Sequence, residues 1–201
     1  MSRIKAILWD FAGVVLFTVK GSFNSLLAER LDVPLHAIEK VMNSSMNDRW
    51  DVGEIDDITF YMYVLETLQQ PIEKMAIIQR FVVKDFYIDQ DILTTIKLLR
   101  KDYTNILLTN FPQHFHEFIK TDWIIDGAFD HVIASCDVKL IKPDPAIYQL
   151  ALERAGCSPH ESVFLDDREV NVRAAEALGI HGIIFTDKDQ AMQELEDLLC
   201  A

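Results

Sequence analysis

The chain has 201 residues, 50% of them apolar, with 19 Lys and Arg against 32 Asp and Glu for a formal net charge of −13. That length and apolar share suit one domain, or one domain with an insertion, and the acidic balance disfavours nucleic acid and anionic membrane surfaces as partners. Cys136, Cys157 and Cys200 have no metal-type spacing and suit a reducing compartment; with no secretion signal and no run near the roughly 20 apolar residues of a membrane span, a cytoplasmic location is expected.

In chain order, the first stretch, "AILWDFAGVVLF" from Ala6 to Phe17, reads as an apolar strand that ends on Asp10 and breaks into a glycine turn; the strand run itself is Ile4 to Trp9. The next region carries only helical patterns: "SFNSLLAERL", "PLHAIEKVM", "ITFYMYVLETL" and "PIEKMAIIQRFV". Pro34 and Pro71 suit first-turn positions, and "GEIDD" before Ile58 supplies a turn and an Asp N-cap. Phe60, Tyr61 and Tyr63 read as helix packing rather than a ligand box. Residues 18–87 are therefore expected to form a small helical domain, inserted into a core made of 1–17 and 88–201.

Beyond it, strand-like runs at Asn105 to Leu108, His131 to Ala134, Ser162 to Leu165 and Gly182 to Phe185 alternate with helix-like segments. Those segments are Asp91 to Lys101, Phe115 to Lys120, Pro145 to Ala155 and Asn171 to Leu178, with Gly156 and Gly179 where helix C-caps belong. Most strand runs are near-continuously apolar, as in a parallel sheet covered on both faces. The expected fold is α/β, a Rossmann-like three-layer core with an inserted helical cap.

Open parallel sheets bind ligands beyond the carboxyl ends of their strands. The polar residues there are Asp10, then Thr109 and Asn110 of "ILLTNFP", then Asp166 and Asp167 of "VFLDDREVN", with Lys142 of "KLIKPDPAIY" at a helix start. Each alone is ordinary turn or cap chemistry. Together they put three carboxylates, a hydroxyl, an amide and one ammonium at one sheet edge, where a divalent cation with oxygen ligands, Mg²⁺, resolves the repulsion. Asp10 then suits in-line attack on phosphorus to form an aspartyl-phosphate, with Thr109, Asn110, Lys142 and the N–H groups after Asp10 available to the transferring oxygens. Asp167 suits direct metal binding, Asp166 orients Lys142 or the metal's waters, and Asn171 anchors the acidic loop.

At this point the sequence resembles the haloacid dehalogenase-like (HAD) hydrolase superfamily, and within it the group of sugar-1-phosphate phosphatases and the N-terminal phosphatase domain of soluble epoxide hydrolase. "DFAGVV", "LLTN", "KPDPAIY" and "FLDDREVNVRAA" stand in the family's order, "ALGIHGIIFTD" is similar to its last strand, and the helical insert sits where such proteins carry a four-helix cap. The resemblance implies a Mg²⁺-dependent phosphatase acting on a small phosphorylated metabolite, such as a sugar phosphate. It also implies that the backbone carbonyl of Ala12 completes the metal site.

Ala12 is where the sequence departs from the pattern. Most phosphatases of the superfamily have there an aspartate that protonates the leaving alcohol and later activates water, help worth about 10²–10⁴-fold. Three readings stand: a phosphatase that turns over without that acid, a non-catalytic protein that binds a phosphate ligand or a partner, and, ranked lower, a dehalogenase, which also lacks the acid but dispenses with magnesium. His114 and His116 of "QHFHEF" are expected to face solvent, though either could substitute for the acid, as could a water on Asn110. Lys20 and Arg49 are candidates for an anionic substrate group or ordinary surface charges, and Phe17 and Trp50 are expected to be core residues.

Overall fold

In β1 (Ala6–Trp9) every residue is buried, and side chains leave the strand on alternate faces: Ile7 and Trp9 join one apolar cluster, Ala6 and Leu8 another. A strand with two wet-free faces has no polar positions to spare, hence its continuous apolar run. The computed structural model describes residues 3–200, with the backbone alone for 80–84.

After β1 the chain forms β2 (Leu16–Thr18) and the helices α1 (Phe23–Leu31), α2 (Leu35–Met42), α3 (Ser45–Asp51), α4 (Asp57–Thr67) and α5 (Met75–Lys84). Next come β3 (Phe86–Ile88), α6 (Gln90–Leu99), β4 (Thr104–Thr109), α7 (Phe115–Thr121), β5 (His131–Ala134) and α8 (Ser135–Val138). The chain ends with α9 (Pro145–Ala155), β6 (Ser162–Asp166), α10 (Glu169–Ala177), β7 (His181–Ile184) and α11 (Lys188–Cys200). Five parallel strands make one sheet in the order β5-β4-β1-β6-β7. Leu107, Val163 and Leu165 continue the first cluster, Ile106, Leu108 and Phe164 the second, so helices cover both faces of the α/β core.

The five expected strands are present, His131–Ala134 with the expected bounds and the other four with ends shifted by a residue or two. Gly156 is the left-handed C-cap of α9, and Asp56 caps α4 by accepting the Thr59 N–H at 2.8 Å, while Pro34 stands at an N-cap, one position earlier than expected. Two features were not foreseen. β2 and β3 pair antiparallel as a two-stranded ribbon at the root of the helical insert, and among the described residues the insert has five α-helices rather than four. The extra one, α3, is "SMNDRWD", too short and too polar to show a helical period.

The insert has its own apolar cluster, including Leu27, Leu31, Ile38, Val41, Phe60 and Val64. Trp50 stacks on Phe60 with ring centroids 4.1 Å apart. Phe60 and Tyr61 are buried and Tyr63 packs on them, the packing role expected of that aromatic run.

Candidate active site

Strand register gathers the polar residues. Trp9 pairs with Leu165 and with Leu107, so Asp10, the next residue, is level with Asp166 and one short of Thr109. The Asp10 N–H donates to the Leu165 carbonyl at 2.9 Å, continuing the ladder past the strand end. Asp10, Thr109 and Asp166 are all buried.

Lys142, 3% exposed, reaches this point from the loop before α9. Its ammonium donates to Asp10 Oδ1 and to Asp166 Oδ2, each at 2.7 Å. Asn110 fixes the backbone behind it: the Asn110 amide donates to the Lys142 carbonyl and accepts the Lys142 N–H, both at 2.9 Å. In the structure Asn110 therefore holds Lys142 in place. Asp166 also accepts the Arg168 N–H at 2.8 Å and both of its oxygens take the Asn171 side-chain amide at 3.0 Å. Asn171 is itself positioned by Tyr148, whose hydroxyl donates to the Asn171 carbonyl at 2.9 Å.

The charges do not balance. Asp10, Asp166 and Asp167 bring ligand oxygens within 4.8 Å of one another, and Lys142 is the ammonium in contact. Burial pushes the Asp10 carboxyl up to about 7; Lys142 opposes the shift, while Asp166 and Asp167 add to it. Asp167, at the exposed mouth, is also raised, by partial burial and by Asp166. The two carboxylates outweigh burial at Lys142 and hold its ammonium above the usual lysine value. Asn171 Oδ1 is buried and has no hydrogen-bond partner among the described residues. An oxygen-rich, net-negative cluster with a spare buried acceptor suits a hydrated hard divalent cation.

The turn after Asp10 is pinned from below by Phe11. Its ring is fully buried, edge-on to Phe115 at 5.5 Å and Trp123 at 5.8 Å, and its carbonyl accepts the N–H groups of Val15 and Leu16 at 2.9 and 2.7 Å. Ala12 is exposed. Gly13 has φ +91, and a Cβ there would come within 2.6 Å of Asp167 Oδ2, so glycine is needed both for the turn and for the approach of the acid.

The insert docks beside this cluster through the end of α3. Ser135 Oγ accepts the Phe111 N–H at 2.9 Å and donates to the Asp51 carbonyl at 2.6 Å. Lys139 donates to the Val52 carbonyl at 2.6 Å, and Gln113 to that of Gly53 at 3.3 Å. The Asp51 carboxyl accepts the Asn47 amide at 2.9 Å. Burial and Asp48 push Asp51 up to about 7, against the Asn47 hydrogen bond and the positive charges of Arg168 and Lys142. Asp51 was not among the sequence candidates, because it lies on the helix whose pattern could not be read; of the charges it feels, those of Arg168 and Lys142 come from two remote segments.

The side candidates resolve as follows. His114 does not face solvent: its side chain is 9% exposed, 3.0 Å from Asp57 and against the rings of Trp50 and Phe111. His116 pairs with Asp137 at 2.7 Å, half-exposed. Lys20 pairs with Glu29 at 3.3 Å and Arg49 with Glu54 at 3.2 Å, both as exposed surface pairs. Phe17 packs on the sheet cluster and Trp50 on the insert cluster, as expected.

Among known proteins, a relative in Mus musculus, acyl-CoA dehydrogenase family member 10, is 46% identical over 71 residues, 35% of this chain and 7% of that protein. The sesquiterpene phosphatase astK of Aspergillus oryzae is 27% identical over 200 residues, 98% of both chains. Among solved structures, a HAD family enzyme from Bacteroides thetaiotaomicron, a magnesium complex, superposes with a TM-score of 0.76 at 22% identity, covering 96% of this chain and 99% of that one. The family model of haloacid dehalogenase-like hydrolases matches residues 4–179, and the chain belongs to that hydrolase family.

Proposed function

We propose that this hydrolase is a Mg²⁺-dependent phosphatase of small phosphomonoesters, sugar phosphates among them, and that it works through an aspartyl-phosphate on Asp10. The observation that carries this reading is the buried Asp10–Lys142–Asp166 ion-pair cluster with Asp167 beside it, at the strand ends. The full-length similarity to a phosphatase supports it. The dehalogenase reading ranks lower, because such enzymes dispense with magnesium and the Asp166–Asp167 pair is better explained by a metal.

Asp10, Asp167 and the Ala12 carbonyl would hold the cation, and Asn171 Oδ1 would accept from a water on it. The bound ion supplies positive charge that lets an anionic phosphate approach the acids and keeps Asp10 ionised. Asp10 attacks phosphorus in line, forming a P–O bond as the bond to the ester oxygen breaks. Thr109, Lys142 and the backbone N–H groups after Asp10 steady the transferring oxygens. Water then attacks phosphorus and releases phosphate from Asp10.

Ala12 has no proton to give, and Asp51 is the group we assign to that work. It is delivered by the insert, it feels the charges of Lys142 and Arg168, and its carboxyl at about 7 suits donation to a leaving alkoxide and later acceptance from the attacking water. His114 and His116 are committed to Asp57 and Asp137. The test is phosphate release from a panel of sugar phosphates and p-nitrophenyl phosphate, with and without EDTA, beside Asp10→Asn. Metal-dependent release that Asp10→Asn lacks is expected; none above the variant's level would leave a protein that only binds a phosphate ligand.

A further inference from the structure

Helices α7 and α8 bring together three side chains of quite different character, at a place the phosphatase reading does not use. His116 Nε2 lies 2.7 Å from Asp137 Oδ1, Cys136 Sγ lies 3.8 Å from the same oxygen, and the three ligand atoms all fall within 4.8 Å of one another. A tetrahedral ion with metal–sulfur, metal–nitrogen and metal–oxygen bonds of about 2.3, 2.1 and 2.0 Å needs ligand separations of roughly 3.3–3.6 Å. The two separations from Asp137 bracket that range, and side-chain shifts of about an ångström bring the three atoms to it.

We propose that His116 Nε2, Cys136 Sγ and Asp137 Oδ1 form a second metal site, separate from the carboxylate cluster, for a borderline divalent cation such as Zn²⁺, with the fourth position left to water. The donor set decides the class: thiolate and imidazole favour zinc-like ions, whereas Mg²⁺ takes oxygen ligands. The site is reachable, since the His116 and Asp137 side chains are 44% and 46% exposed while the thiol sits behind them, buried. Burial and Asp137 keep the free thiol protonated, pushed up to about 11, so binding expels the thiol proton to solvent. With a neutral imidazole, the proton on Nε2 moves to Nδ1.

The location gives the ion something to act on. Ser135, which precedes Cys136, holds the Asp51 carbonyl and the Phe111 N–H, and Lys139, which caps α8, holds the Val52 and Gly53 carbonyls. An ion joining α7 to α8 therefore stiffens the surface on which the insert docks.

Co²⁺ is the probe, because a thiolate ligand gives it a near-ultraviolet charge-transfer band that oxygen ligands do not. Titration of the whole protein should give such a band, saturating at a single equivalent and bleached by Zn²⁺. It should persist in Cys157→Ser, Cys200→Ser and Asp10→Asn and vanish in Cys136→Ser. His116→Gln, at a half-exposed position, removes a direct ligand and should weaken Co²⁺ binding by at least the roughly 10–100-fold that loss of a mere supporting partner costs. No band, a band that survives Cys136→Ser, or unchanged affinity in His116→Gln overturns the proposal. Because Asp10→Asn removes the phosphatase centre and should keep the band, failure of this site and failure of the phosphatase reading are distinguishable.

Discussion

Lys142 donates to Asp10 at 2.7 Å with both side chains almost wholly buried, so the candidate nucleophile carries its own counter-charge before any ligand arrives. Removing the ammonium leaves Asp10 and Asp166 without a counter-charge between them, although Asp166 keeps its hydrogen bonds from Arg168 and Asn171. Lys142→Met should lower stability by about 3–5 kcal/mol and phosphate release by about 10²–10³-fold or more. Chemical denaturation and initial rates measured on the same preparation check both.

Asn171 carries no charge, yet its amide holds both oxygens of Asp166. Asn171→Ala should free that carboxylate and weaken Mg²⁺ binding or turnover by about 10–100-fold. Affinity is read from the rise in melting temperature with Mg²⁺ concentration; an unchanged titration would put Asn171 outside the metal's surroundings.

Asp51 and Ala12 make a linked pair of predictions. Asp51→Asn should slow hydrolysis of ordinary alcohol esters by about 10²–10⁴-fold and affect p-nitrophenyl phosphate less in forming the aspartyl-phosphate, because its phenolate leaves unaided. Ala12→Asp should then recover much of that loss in the Asp51→Asn background. It should leave Mg²⁺ affinity nearly unchanged, since the metal is expected to use the backbone carbonyl at 12. Failure of rescue would place the proton donor elsewhere.

The same carboxyl makes a pH prediction. Its folded value of about 7 lies above the unfolded value of about 3.9, so between those limits the folded state holds the proton more tightly. Asp51 stabilises the fold most at low pH and loses that contribution as pH rises through about 7. The melting temperature of Asp51→Asn relative to the parent should therefore climb between about pH 4 and 7 and then level off.

Gly53 tests the docking of the insert. Its φ is +67, and an added Cβ would come within 2.9 Å of Lys139 Nζ and 3.0 Å of Gln113 Nε2. Gly53→Ala should cost about 1–3 kcal/mol of backbone strain and loosen the contact that holds Asp51. A fall in turnover of alcohol esters larger than that of p-nitrophenyl phosphate is the expected kinetic signature.

The parallel sheet is legible in the amino-acid order alone, because strands buried on both faces leave continuous apolar runs such as that before Asp10. The same reading marks Asp10, Thr109, Lys142 and Asp166 as candidates, since each ends a strand or opens a helix in an order that resembles the family. Which of them touch is settled only by the packed fold: that Lys142 spans Asp10 and Asp166, and that Asn110 serves the Lys142 backbone, depends on segments 24 residues apart or more meeting at one point. The short ribbon of β2 and β3 and the polar helix α3 stayed hidden for a physical reason. Three-residue strands and a seven-residue helix hold too few residues to show a period, and their stability comes from what they dock on. Asp51 follows from that, a carboxylate on an unreadable helix whose surroundings exist only once the insert lies against the core.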